Sequence, residues 1–166
     1  IPRTQSALLE AMEERQITVD GERFPLPEPF LVLATQNPVE SESTFRLPAA
    51  QMDRFLIRIS MGYPSPEEER DMLKNLGDDI PFQSVRAVTS ARQLVQAQQE
   101  IAQVHLSDAV ADYIVSLVNL TRSHSQLVMG ASPRASRGLY RAAKAWAAME
   151  GRDFVMPDDV KALAHP

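Results

Sequence analysis

The chain contains no cysteine, so disulfides and thiolate chemistry are excluded and a cytoplasmic setting fits. No apolar run approaches the length of a membrane span or of a signal-peptide core. Lysine is scarce: only Lys74, Lys144 and Lys161 occur, and arginine supplies most of the cationic charge. No glycine is followed by lysine, so the phosphate-cradling loop G-x-x-x-x-G-K-[ST] is absent. The three histidines, His105, His124 and His165, lack metal-ligand spacing, and no metal site is expected. His124, in the last turn of a helix, most simply complements the helix dipole. A formal net charge of −5 argues against a nucleic-acid domain, which normally carries a basic face. No nucleophile–base pair can be argued from spacing, and the chain by itself is expected to be inert.

What is present divides into two parts. With 166 residues and 44% hydrophobic content, the chain can bury one good core or two small ones. Thr4 can cap a first helix that places Leu8, Ala11 and Met12 on one face. Ile17 to Phe24 then reads as a hairpin about an Asp20-Gly21 type I′ turn, pairing Val19 with Glu22 and Ile17 with Phe24. Pro25, Pro27 and Pro29 stop further pairing, because proline offers no amide donor. The unbroken apolar run from Phe30 to Ala34 predicts a buried parallel strand, Phe30 to Thr35, that empties into Gln36-Asn37-Pro38, where open α/β sheets place ligands. A right-handed crossover through a short helix near Pro48 to Arg54 leads to an alternating strand, Leu56 to Met61.

From Tyr63 onward the pattern is helical. Ser65-Pro66-Glu67-Glu68 is a capping box with proline at the first helical position, and Ser90 with Gln93 repeats the box. The second of these helices carries Leu94, Ala97, Ile101 and Val104 on one face. Ser107 opens another helix with Val110, Ile114, Leu117 and Val118 inward. Ser132-Pro133 opens a longer one with Leu139, Ala142, Ala143 and Trp146 inward, Trp146 serving as its core anchor, and Pro157 starts the last. The expected domains are residues 1–63 and 64–166. Two parallel strands and a hairpin are too few for an independent sheet. Together with an opening at Ile1-Pro2 rather than Met, this suggests the back half of something larger.

Ordered blocks along the chain carry a resemblance. They are Pro2-Arg3-Thr4-Gln5-Ser6-Ala7-Leu8-Leu9-Glu10-Ala11-Met12-Glu13-Glu14, Val19-Asp20-Gly21, Pro25 to Phe30, Ala34-Thr35-Gln36-Asn37-Pro38-Val39-Glu40, Leu47-Pro48 to Asp53-Arg54-Phe55, Gly62-Tyr63-Pro64, Gly130-Ala131-Ser132-Pro133-Arg134-Ala135 and Pro157 to Ala164. The chain resembles the carboxy-terminal portion of MoxR-type AAA+ ATPases, following the Walker B motif. The resemblance implies an α/β remnant of the AAA+ core, with parallel strands plus a β-hairpin, followed by an all-α helical lid, predominantly helical overall. It implies a parent that hydrolyses ATP with Mg²⁺ as a hexameric ring. That parent would remodel partner proteins as a chaperone does, with von Willebrand factor A-domain partners, in the cytoplasm.

Residue by residue, Asn37 matches sensor 1, which in the family helps position the attacking water. Its plain alternative is an Asn-Pro turn. Arg54 matches the arginine finger that reaches a neighbouring subunit's nucleotide; the alternative is a surface ion pair with Asp53 or Glu28. Arg134 matches sensor 2. It stands in the first turn of its helix, where the dipole disfavours a cation unless an anion binds there. A solvated arginine is the alternative. Arg137, one turn later, could share the role. The hairpin matches the presensor insertion that faces the ring pore in relatives, or else simply covers an edge. Ser43, Arg46 and Ala49 depart from the family pattern, as does Met156, which occupies a cap position usually held by Thr or Ser. A nucleotide-independent helical interaction module and a nucleic-acid-processing AAA+ relative are the other functional classes considered.

Overall fold

In the computed structural model, which describes residues 2–36, 48–75 and 85–164, Asp20 and Gly21 both adopt positive φ, 51° and 85°. This is the turn expected for Asp-Gly, since type I′ requires left-handed backbone at both central positions. It joins β1 (Gln16–Val19) to β2 (Glu22–Pro25) in antiparallel register, with Ile17 opposite Phe24 and Val19 opposite Glu22. The preceding helix α1 spans Pro2–Glu14 and starts earlier than a Thr4 cap would allow. Proline suits a first helical position because the amide it lacks would have no helical partner. Arg15, with φ 51°, turns the chain out of α1, and its carbonyl accepts the Leu26 amide at 2.8 Å, closing the base of the hairpin.

The two expected parallel strands do not form a ladder. Among the described residues the sheet contains only β1 and β2, and 30–36 and 57–61 carry no strand pairing. Leu31 and Leu33 are 76% and 85% exposed, and Ile59 and Met61 are 68% and 89% exposed. An apolar run encodes a preference for burial in a sheet, but a ladder also needs a partner strand alongside. No described strand pairs with either run. Between them sits the expected short helix, α2 (Ala49–Met52), which ends in a turn through Asp53 and Arg54.

The remaining elements are helical, as the sequence predicts: α3 (Pro66–Lys74), α4 (Ala91–Ala102), α5 (Asp108–Ser123), α6 (Pro133–Met149) and α7 (Pro157–Ala162). Both predicted capping boxes form, Ser65 with Glu68 and Ser90 with Gln93. α3 buries none of its residues. The lid core gathers Val104 after α4, Val110 and Ile114 on α5, Ala143 and Ala147 on α6, Val155, and Val160 on α7. Trp146 is not its anchor. It is 37% exposed, while Ala143 and Ala147 are fully buried, because small side chains let α6 approach its neighbours closely.

The α6–α7 connection is held by polar contacts. His105 donates its amide to Asp153 at 2.7 Å and accepts the Val155 amide at 2.9 Å. Arg152 forks onto the Asp159 carboxylate at 2.8 and 2.5 Å. Met156 gives α7 no side-chain cap, as its departure from Thr or Ser implies; the Asp159 carboxylate instead reaches back to the Met156 amide at 2.7 Å.

Candidate functional site

The sequence-predicted arginines meet through a carboxylate that the sequence does not single out. α1 carries Glu13 near its last turn, the turn after α2 carries Asp53 and Arg54, and the first turn of α6 carries Arg134. Glu13 splits its two oxygens between them: Oε2 pairs with Arg54 Nη1 and Oε1 with Arg134 Nη2. The Arg54 guanidinium, with Arg134 beside it, holds the Glu13 carboxyl below the usual carboxylate range. The Arg54 side chain is 21% exposed and that of Arg134 47%. Arg54 Nε and Nη1 are shielded from solvent and neither meets hydrogen-bond geometry with a partner among the described residues, so the Nη1 contact with Glu13 is an ion pair and Nε has no partner among them.

The start of α6 is fixed by its own cap. Ser132 Oγ accepts the Arg134 amide at 3.0 Å and donates to the Asp53 carboxylate, whose oxygens both lie 2.8 Å away. One hydroxyl therefore terminates α6 and ties it to the turn that bears Arg54. Asp53 Oδ2 also lies 3.7 Å from Arg134 Nη1. Two carboxylates thus offset the unfavourable position of a cation at a helix N-terminus. Gly138 on α6 widens the contact, since a Cβ there would sit 3.4 Å from Leu56 Cδ1.

The loop before α6 has little freedom. Arg122 Nε donates to the Ala131 carbonyl at 2.9 Å, and Thr121 Oγ1 accepts the Ala131 amide at 2.9 Å. Gly130 lies against the backbone of α5, where a Cβ would come within 2.5 Å of Arg122 Cα. Only glycine fits that approach. The Gly130-Ala131-Ser132-Pro133-Arg134 block is therefore a device that aims Arg134 at Glu13 and Asp53.

The remaining candidates fall elsewhere. Asn37 lies outside the described residues. Arg137 is exposed on α6 and makes no ion pair among the described residues. The ion pairs considered for Arg54, with Asp53 or Glu28, are not the ones formed: Glu28 pairs with Arg15 at 3.1 Å, and Asp53 faces Ser132 and Arg134. His124 is the residue just after α5, with extended backbone, and its Nδ1 accepts the Gln126 amide at 3.3 Å. Among the described residues no group of three His, Asp or Glu side chains could hold a metal ion, and no helix is long and apolar enough to cross a membrane.

Chemically, the cluster presents two guanidiniums and a helix start to a single anion. That arrangement suits a phosphoryl group, whose several oxygens can engage more donors than one carboxylate can. The orphaned Arg54 Nε is a donor that such a group could satisfy.

Comparisons with known proteins find relatives among the AAA ATPases. Residues 1–57 match the model of the ATPase family associated with various cellular activities (AAA), and residues 119–166 match the AAA lid domain. The chain is 47% identical over 163 residues to YeaC of Bacillus subtilis, a protein of uncharacterised role, covering 98% of the chain and 51% of YeaC. It is 46% identical over 167 residues to the chaperone MoxR1 of Mycobacterium tuberculosis, covering 95% of the chain and 44% of MoxR1. The crystal structure of a candidate ATPase from Cytophaga hutchinsonii superposes with a TM-score of 0.86 at 39% identity, over 99% of this chain and 52% of that one. The chain spans about half the length of the curated relatives it matches.

Proposed function

Because this chain belongs to the AAA ATPases and is similar along its length to their MoxR members, we propose that it is the arginine- and sensor-bearing portion of a ring ATPase that remodels partner proteins. The observation that carries this reading is the convergence of Arg54 and Arg134 on one carboxylate. In the proposed ring, a hexamer in the cytoplasm, Arg54 is the finger presented to the neighbouring subunit's ATP. Arg134 shares its counter-ion and therefore its face, so it too acts in trans on the same phosphate. Arg137 stands one turn further along α6 as an accessory cation. Asn37 acts within its own subunit as sensor 1, orienting the attacking water.

The two guanidiniums bind and neutralise the charge that develops on the transferred phosphoryl group. Mg²⁺, when bound, would supply positive charge that offsets the charge on the transferred phosphoryl group. The described residues offer no cluster of ligands for it, and its protein ligands are assigned to the portion of the ATPase outside this sequence. The same holds for the phosphate cradle, so the chain alone is inert. The exposed hairpin β1–β2 faces the pore, and the partners are von Willebrand factor A-domain proteins. Remodelling activity is supported by the similarity to MoxR1.

A mixing experiment on the longer protein tests the trans assignment. One variant carries Arg54→Ala and another a disabled upstream phosphate-binding lysine; each is expected to be inactive alone. Mixed rings are expected to regain turnover, because interfaces form in which an intact arginine faces an intact cradle. No recovery in rings shown to mix would count against action across the interface.

A further inference from the structure

We propose that Glu13 is the internal counter-ion that holds Arg54 and Arg134 together between encounters with phosphate, and that a phosphoanion displaces it. The inference rests on reading the two arginines as phosphate ligands and adds a residue that neither motif contains. Two guanidiniums aimed at one point repel each other unless an anion lies between them. Glu13 supplies it, one oxygen to each arginine.

The pairing is suited to exchange. A carboxylate divided between two arginines cannot form the two-pronged contact that a guanidinium prefers, and Arg54 Nε is left without a partner among the described residues. A phosphoryl group has enough oxygens to take both arginines and that remaining donor. The Glu13 side chain is 39% exposed, so it can swing into solvent without crossing a packed core. Asp53, the other carboxylate in the cluster, is committed to Ser132 and is the poorer competitor. Glu13 is thus a positioning residue: it keeps the arginines converged, then yields them.

Titration of the 166-residue chain with inorganic tripolyphosphate tests this, followed by NMR of the arginine Nε–H groups and the Glu13 carboxyl carbon. Glu13→Gln keeps the shape and removes the competing charge, and is expected to tighten tripolyphosphate binding about threefold to fivefold. Glu10→Gln changes the net charge equally but lies outside the cluster, where Glu10 accepts from Thr18, and is expected to leave binding unchanged. In the unaltered chain, saturation is expected to move the Glu13 carboxyl resonance together with the Arg54 and Arg134 signals, a readout that needs no variant to fold. Equal tightening by both variants, or arginine shifts with a stationary Glu13 resonance, overturns the inference and leaves the functional reading standing. No shift at either arginine, with or without Glu13, overturns both.

Discussion

Arg54→Ala in the longer protein is expected to lower ATP turnover by about 10³-fold or more, while nucleotide binding and the far-UV spectrum stay close to those of the parent. The size follows from the work assigned to the side chain: an arginine finger neutralises charge present mainly in the transition state, and such residues contribute about 10³ to 10⁵ in rate. The loss should fall on kcat rather than KM, since an interaction realised in the transition state does little for ground-state binding. Arg54→Lys should recover little. Lysine keeps the charge but not the planar fork, so it cannot offer a phosphate the same set of directed donors. Steady-state turnover at saturating ATP checks this; a loss of only a few-fold would return Arg54 to the role of an internal ion-pair partner.

The second large effect concerns stability. Asp159→Ala is expected to destabilise the lid by about 3 kcal/mol, measured by urea unfolding, the range for removing one member of a buried ion pair. The carboxylate is 3% exposed, accepts from both Arg152 terminal nitrogens, and takes the Met156 amide at 2.7 Å. Its loss leaves α7 with no side-chain cap, and Val160, fully buried one residue further on, loses its anchor. Arg152 retains a hydrogen bond to the Phe154 carbonyl at 3.1 Å and some exposure, which places the cost at the lower end. The pH dependence has a definite sign. Arg152 depresses the Asp159 pKa in the folded state, so this contribution is fully present above the ordinary aspartate pKa and is lost as pH falls through the lower, folded-state value. Asp159→Ala should flatten that part of the acid limb.

The elements legible in the sequence are those whose determinants are local. Asp20-Gly21 dictates its turn, and the turn sets the pairing of Ile17 with Phe24. Ser65 and Ser90 each find their partner three residues away. Motif context marks Arg54 and Arg134 but not their meeting point, because Glu13 lies 121 residues from Arg134 and Asp53 lies 79 from Ser132. No periodicity or cap reports a contact over that separation. The runs 30–35 and 56–61 stay unpaired among the described residues for a different reason: their composition favours burial, but pairing depends on neighbours that composition does not name. Trp146 is large but 37% exposed, because close packing of α6 selects alanine rather than bulk at the buried positions.

The central claim is that Arg54 and Arg134 serve one phosphate. A double-mutant cycle on ATP turnover in the longer protein tests it most directly, comparing Arg54→Ala, Arg134→Ala and the pair. Residues acting as a unit are strongly non-additive. The expected result is a double variant no slower than the slower single variant, within a few-fold. Losses that multiply in full would mean that the two arginines act on separate charges, and would contradict the account.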